Sequence, residues 1–251
     1  MAPENCKIGR GGELADGLTR VRARIAAACA DAGRDVREVT LIVVTKTYPA
    51  SDVELLAELG VTDVGENRDQ EAAPKAAAVA AAGARVRWHF VGQLQRNKCR
   101  SVVTYADAVH SVDGVRLAET LARAADRRRE RALDVLVQLS IDGDPTRGGA
   151  LAGAAGSGQA EPDRDLDRVA AAVAAAPALR LAGLMAVAPM DWAPEAAFEK
   201  LAEVAARLRA DHPAATMISA GMSDDLEAAV RYGATHVRIG SAVLGTRDRL
   251  R

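Results

Sequence analysis

The chain has 251 residues, of which 49% are hydrophobic, 27% charged and only 3% aromatic, with a formal net charge of −1. That is enough chain for one (β/α)8 barrel around an aliphatic core, and the near-neutral charge excludes a strongly basic nucleic-acid-binding or anionic-membrane-binding class. Three widely spaced cysteines, Cys6, Cys29 and Cys99, make neither a disulfide framework nor a Cys–His metal cluster, so a reduced cytoplasmic protein is expected.

Residues 1–12 lack the apolar stretch of a signal peptide and read as a flexible lead, with a single barrel domain over 13–251. Leu14, Leu18, Val21 and Ile25 recur at helical spacing and predict a helix over 13–32. The β-branched run Leu41-Ile42-Val43-Val44 predicts a buried strand. A helix over 51–59 follows, with Ser51 as its N-cap and Gly60 as its stop. The same alternation continues. Strands are predicted at 62–64, 86–91, 108–112, 134–139, 181–188, 216–219 and 236–239, and helices at 69–82, 95–105, 114–131, 163–176, 194–211 and 224–232. Eight strand–helix units predict an α/β fold with a parallel sheet closed into a single TIM barrel, an open doubly wound sheet being the alternative. The run Arg127-Arg128-Arg129 reads as a solvated helix face, and alanine-rich runs such as 76–82 are too short to span a bilayer. Residues 143–162, rich in Gly, Ala, Ser and Pro, read as a flexible loop on the ligand-binding face.

Barrels place their chemistry where strands end. The first strand ends in Thr45-Lys46-Thr47. Lys and Arg together number 33, and only five of these are lysines. A lysine amine can lose its proton and form an imine, which an arginine cannot, so Lys46 is a Schiff-base candidate. The alternative is a lysine that pairs with a carboxylate such as Glu66. The second strand end gives Gly65-Glu66-Asn67. On the third strand the alternation puts Trp88 and Phe90 toward the helices and His89 inside, as a core group or a site group. On the fourth, Ser111 is a further inward polar candidate. Gly221, Ser223 as an expected N-cap, and the small residues Gly240-Ser241-Ala242 suggest a phosphate cup after strands seven and eight. Arg238 should point into the barrel, where a ring nitrogen or a carboxylate would accept its hydrogen bond.

These residues also carry a resemblance. Val44-Thr45-Lys46-Thr47, Gly65-Glu66-Asn67, Trp88-His89-Phe90-Val91-Gly92-Gln93-Leu94-Gln95, His110-Ser111-Val112-Asp113, Gly221-Met222-Ser223-Asp224-Asp225 and Val237-Arg238-Ile239-Gly240 resemble the pyridoxal phosphate homeostasis protein family, from about residue 14 to 247. The resemblance implies a barrel like the N-terminal domain of alanine racemase, with pyridoxal 5′-phosphate (PLP) as a Schiff base on Lys46. It maps phosphate contacts onto Ser219, Met222, Ser223, Gly240 and Ser241, a pyridine-nitrogen contact onto Arg238, and Asn67 near the cofactor; the inward His89 is a further cofactor-binding candidate. The resemblance further implies a non-catalytic PLP carrier that acts in PLP homeostasis and amino-acid and keto-acid balance; a cytoplasmic monomer with PLP-dependent apoenzymes as recipients is expected. Thr45 stands where the family commonly has Ser, Gln93 where it has Pro, Ala220 where Met is frequent, and the 143–162 loop is longer than expected. The alternatives are a PLP-dependent amino-acid racemase or lyase, or an unrelated barrel enzyme using Lys46 for aldol-type chemistry. A racemase needs a second acid/base opposite the lysine. With the chain running only to Arg251, no further domain is expected to supply it.

Overall fold

The computed structural model of the chain describes residues 4–144, 148–153 and 162–245. Among them, β1 (Thr40–Val44), β2 (Asp63–Glu66), β3 (Arg87–Phe90), β4 (Ala108–Val112), β5 (Leu133–Gln138), β6 (Leu179–Met185), β7 (Met217–Ser219) and β8 (His236–Ile239) pair in chain order. Every pairing is parallel, and β8 returns to β1 with Thr40 opposite His236 and Val43 opposite Ile239. The barrel is closed, which removes the open-sheet alternative. Its outer layer comprises α1 (Glu4–Asp31), α2 (Ala50–Glu58), α3 (Asp69–Ala81), α4 (Cys99–Val102), α5 (Val115–Asp126), α6 (Leu166–Ala174), α7 (Pro194–Asp211), α8 (Leu226–Arg231) and α9 (Ser241–Leu244). Among the described residues no helix is long and apolar enough to cross a membrane.

Strand alternation divides the side chains. Val43, Val64, Trp88, Val237 and Ile239 point outward and pack with Leu14, Leu18, Val21 and Ile25 of α1. Val109, Val135, Val137, Leu184 and Ile218 point outward beneath α4 to α8. On α5 the buried Leu117, Ala118, Leu121, Ala124 and Ala125 form one stripe. Replacing the fully buried Leu121 by Ala should cost about 2–5 kcal/mol. Inside the barrel, Leu136, Ala182 and Met185 form a small apolar group. Asp63, His89, His110, Ser219, His236 and Arg238 are buried polar residues on alternating, inward positions of β2, β3, β4, β7 and β8. The expected inward orientation of His89 and Arg238 is therefore found.

Several local expectations need correction. The helix expected from residue 13 starts at Glu4, so residues 4–12 belong to α1 instead of a flexible lead. Helix α2 is capped by Pro49, with Ser51 inside it. The 95–105 segment divides into a 3₁₀ turn, Arg96–Lys98, and the short α4. Strand β6 ends at Met185. Within the loop expected over 143–162, residues 145–147 and 154–161 lie outside the described residues. Between them the chain is docked. Ala150 is fully buried and exchanges backbone hydrogen bonds with Gln138 and Ser140, and Leu151 bridges to Asp165. Gly149 permits this approach with φ +125°, where a Cβ would meet Ser140 N at 2.5 Å.

Candidate functional site

The barrel rim at the C-terminal ends of β7, β8, β1, β2 and β3 assembles the predicted residues from consecutive strands. Lys46 lies in the turn after β1 and is exposed. The turn is held from beneath. The Thr45 hydroxyl donates to Glu66 Oε1 at 2.7 Å, and Lys75 Nζ donates to Glu66 Oε1 at 2.5 Å and to the Thr45 carbonyl at 2.8 Å. Glu66 and Lys75 are both buried. The expected alternative, a Lys46–Glu66 pair, is therefore replaced by a Lys75–Glu66 pair, and Lys46 has no hydrogen-bond or ion-pair partner among the described residues. Thr47 then adopts φ 67°, a left-handed conformation costly for a β-branched residue. Its amide donates to Glu71 Oε2 at 3.2 Å, and the Tyr48 hydroxyl donates to the Gly245 carbonyl at 2.6 Å.

Beside Lys46, β8 is followed by Gly240, where a Cβ would meet the Val44 carbonyl oxygen at 3.3 Å. Gly240 caps α9, so the first amides of that turn, including Ser241, lack intrahelical acceptors. After β7, Gly221 has φ +91° and approaches Ala229, where a Cβ would be 2.6 Å away. Met222 is exposed and Ser223 half-buried. Ser223 is not the cap of α8; Asp225 holds that position, and its side chain accepts the Met222 amide at 2.5 Å. The Ser223 carbonyl accepts from Arg24 Nη2 at 2.8 Å, which ties this turn to α1. After β2, Asn67 packs against Gly92, a position where any Cβ would collide with the Asn67 carbonyl. Asn67 Oδ1 is buried without a hydrogen-bond partner, as is Ser111 Oγ on β4. Such orphaned acceptors are costly and mark where a donor belongs.

Arg238 lies below the rim, 6% exposed. Its Nη1 donates to the Ser219 carbonyl at 2.6 Å and to Ser219 Oγ at 2.8 Å, and Nη2 donates to the Ala186 carbonyl at 2.9 Å. A guanidinium has five N–H donors, so two remain for another acceptor. No carboxylate pairs with Arg238 among the described residues, and burial lowers its pKa to about 10. Ser219 is fully buried and its hydroxyl also meets His110 Nδ1 at 2.9 Å. His89 engages Asp63 and His110 through its two ring nitrogens, at 2.8 and 2.9 Å. Ser219 and His89 thus lie in the buried interior, whereas Lys46, Asn67, Met222, Ser223, Gly240 and Ser241 form the rim. Sequence reasoning missed Lys75 and Arg24. The cue for Lys75 was its spacing of nine residues from Glu66 into the following helix, which only the strand–helix packing turns into a contact.

Residues 18–248 match the alanine racemase N-terminal domain. A protein of Mycobacterium leprae named pyridoxal phosphate homeostasis protein is 44% identical over 248 residues, 94% of this chain and 93% of that one. The crystal structure of an unknown protein from Bifidobacterium adolescentis superposes with a TM-score of 0.82 at 30% identity, covering 94% of this chain and 96% of that one. PipY of Synechococcus elongatus, in a structure with PLP bound, gives 0.72 at 29% identity, over 92% of this chain and 100% of that one. The chain belongs to the pyridoxal phosphate homeostasis protein family, built on the alanine racemase N-terminal domain fold.

Proposed function

We propose that this chain is a PLP carrier that holds the cofactor as a Schiff base on Lys46 and serves PLP homeostasis in the cytoplasm, as a monomer without catalytic turnover. The observation that carries the reading is the pairing pattern of the lysines. Glu66 is taken by Lys75, which leaves the Lys46 amine unpaired at the mouth of the barrel. Support also comes from PipY, whose structure has PLP bound, and from the name of the Mycobacterium leprae relative.

The residues fit the group. When bound, PLP supplies an electrophilic aldehyde and an electron-withdrawing ring. Arg238 offers two unused N–H donors to the ring nitrogen, and a permanently cationic arginine disfavours a proton on that nitrogen. That weakens the ring as an electron sink and agrees with carriage over catalysis. Asn67 Oδ1 accepts a donor that the protein itself does not provide. The amides heading α9 and the Ser223 hydroxyl face the phosphate in this reading, and Met222 covers its edge. Ser219 acts through Arg238 and His89 through His110, neither touching the cofactor. Exposure of Lys46 suits release of PLP to recipient apoenzymes. The absorption spectrum of the purified protein tests the proposal. A visible band that disappears in Lys46→Ala supports it, and a colourless protein that stays colourless with added PLP overturns it.

A further inference from the structure

Five buried groups form one continuous hydrogen-bonded chain through the barrel. Arg238 Nη1 lies 2.8 Å from Ser219 Oγ, which lies 2.9 Å from His110 Nδ1. His110 Nε2 lies 2.9 Å from His89 Nδ1, and His89 Nε2 lies 2.8 Å from Asp63 Oδ1. All five residues are between 0% and 6% exposed. Asp63 is the first residue of β2, so the chain runs from the arginine under the rim to the opposite end of the barrel.

The direction of the chain follows from what each atom can do. Arg238 can only donate, so Ser219 Oγ accepts from it. An ionised Asp63 can only accept, so His89 Nε2 carries a proton. Two directions satisfy those ends. With His89 neutral, His89 Nδ1 accepts from His110 Nε2–H, and His110 Nδ1 accepts the Ser219 hydroxyl proton. With His89 charged, both His links reverse, and Ser219 is left with a buried hydroxyl proton that has no acceptor. The first direction satisfies every atom. We propose that His110 and His89 are positioning residues for Arg238: both held in the Nε2–H tautomer, they turn Ser219 into an acceptor that fixes the guanidinium, with Asp63 as the distant counter-charge.

The surroundings agree. His89 faces His110 and His236 at ring-centroid distances of 5.0 and 6.3 Å, with Arg87 3.8 Å from Asp63. His110 faces His89, His236 and Arg238. Burial first, with the Arg238 charge adding to it, pushes the His110 pKa well below its ordinary value. Burial opposes ionisation of Asp63, but the bonds from His89 and the Thr62 hydroxyl outweigh it and lower its pKa. A positively charged arginine and a negatively charged aspartate are thus joined through three neutral groups instead of a direct pair.

The inference rests on the PLP reading for its consequence but not for its geometry. The test begins with 15N-histidine NMR of the full-length, PLP-free protein. The expected result is Nε2–H for both His89 and His110 at neutral pH. An Nδ1–H assignment for His110, or a charged His89, overturns the relay whatever the protein binds. The second arm compares His110→Gln, which keeps one acceptor and one donor, with His110→Leu, which keeps neither. In PLP-loaded protein, His110→Leu is expected to shift the visible band and release PLP at least tenfold faster, while borohydride still labels Lys46. His110→Gln is expected to restore the parent spectrum and rate. A folded His110→Leu with the parent's spectrum and release rate overturns the proposal. Should that variant not fold, the tautomers and a His110→Gln protein with altered spectrum and release decide against it, and unaltered ones for it. Failure of Lys46 labelling in the parent overturns the cofactor reading alone.

Discussion

Lys75, nine residues after Glu66, holds the Glu66 carboxylate at 2.5 Å beneath the turn that presents Lys46. One lysine thereby neutralises the buried carboxylate, and the other stays unpaired among the described residues. Glu66→Ala would leave Lys75 as an uncompensated buried charge. We expect a loss of about 3–5 kcal/mol of stability, read by urea denaturation, together with slower trapping of PLP at Lys46.

Lys46 should be the residue labelled when borohydride reduces the PLP-loaded protein, as found by peptide mapping. Lys46→Ala should stay folded, because the side chain is exposed. A pyridoxyl group on Lys75 or Lys98 would refute the assignment.

Ser223→Ala should weaken PLP binding by about 1–2 kcal/mol, the scale of one hydrogen bond to a charged group. Pyridoxal, which lacks the phosphate, should bind far more weakly than PLP. A fluorescence titration giving equal affinities for the two would remove the phosphate turn from the site.

Acid should weaken the fold in two stages. The His236 pKa is lowered to about 4, chiefly by burial. The unfolded chain therefore binds a proton that the folded one resists, and stability falls as pH drops from about 6.5 toward 4. His236 alone accounts for on the order of 3 kcal/mol over that range. Asp63 has the opposite character. Its lowered pKa contributes stability above the ordinary aspartate value, lost only as pH falls through the folded value. Urea midpoints measured from pH 7 to 4 should decline steadily, and more shallowly in His236→Gln. A flat profile over that range would contradict this account.

No amino acid should exchange its α-proton in deuterated water faster with this protein than with free PLP. A racemase requires an acid/base group facing the lysine across the cofactor. The hydroxyl of Tyr48 is bound to the Gly245 carbonyl, that of Tyr105 lies 3.4 Å from Asp69, and Tyr232 packs in the outer core. Proton NMR of a panel of amino acids is the measurement, and Lys46-dependent exchange with any one of them would establish an enzyme.

Much of this was legible in the chain. Runs such as Leu41-Ile42-Val43-Val44 marked strands, and their alternation placed His89 and Arg238 inside. Lys46 stood out because lysine is rare here. The partners were not legible. Whether Glu66 serves Lys46 or Lys75 depends on how α3 lies over β2, and Ser219 reads as a rim residue until Arg238 and His110 are seen to claim its hydroxyl. Composition also misled. Gly149-Ala150-Leu151 looked too small to pack, yet small residues are what allow that segment to lie against β5.

Arg10, in a segment whose sequence suggested a flexible lead, donates to Asp52 at 2.7 Å and to the Leu244 carbonyl at 3.0 Å, and lies 5.6 Å from the centre of the Tyr48 ring. It therefore braces three pieces of the rim at once: the start of α2, the end of α9 and the turn carrying Lys46. Helices α1 and α9 are fastened together behind the mouth of the barrel, like a strap buckled across a hoop. Trimming the first dozen residues would unbuckle it, and the damage would surface as poor grip on PLP before it surfaced as unfolding.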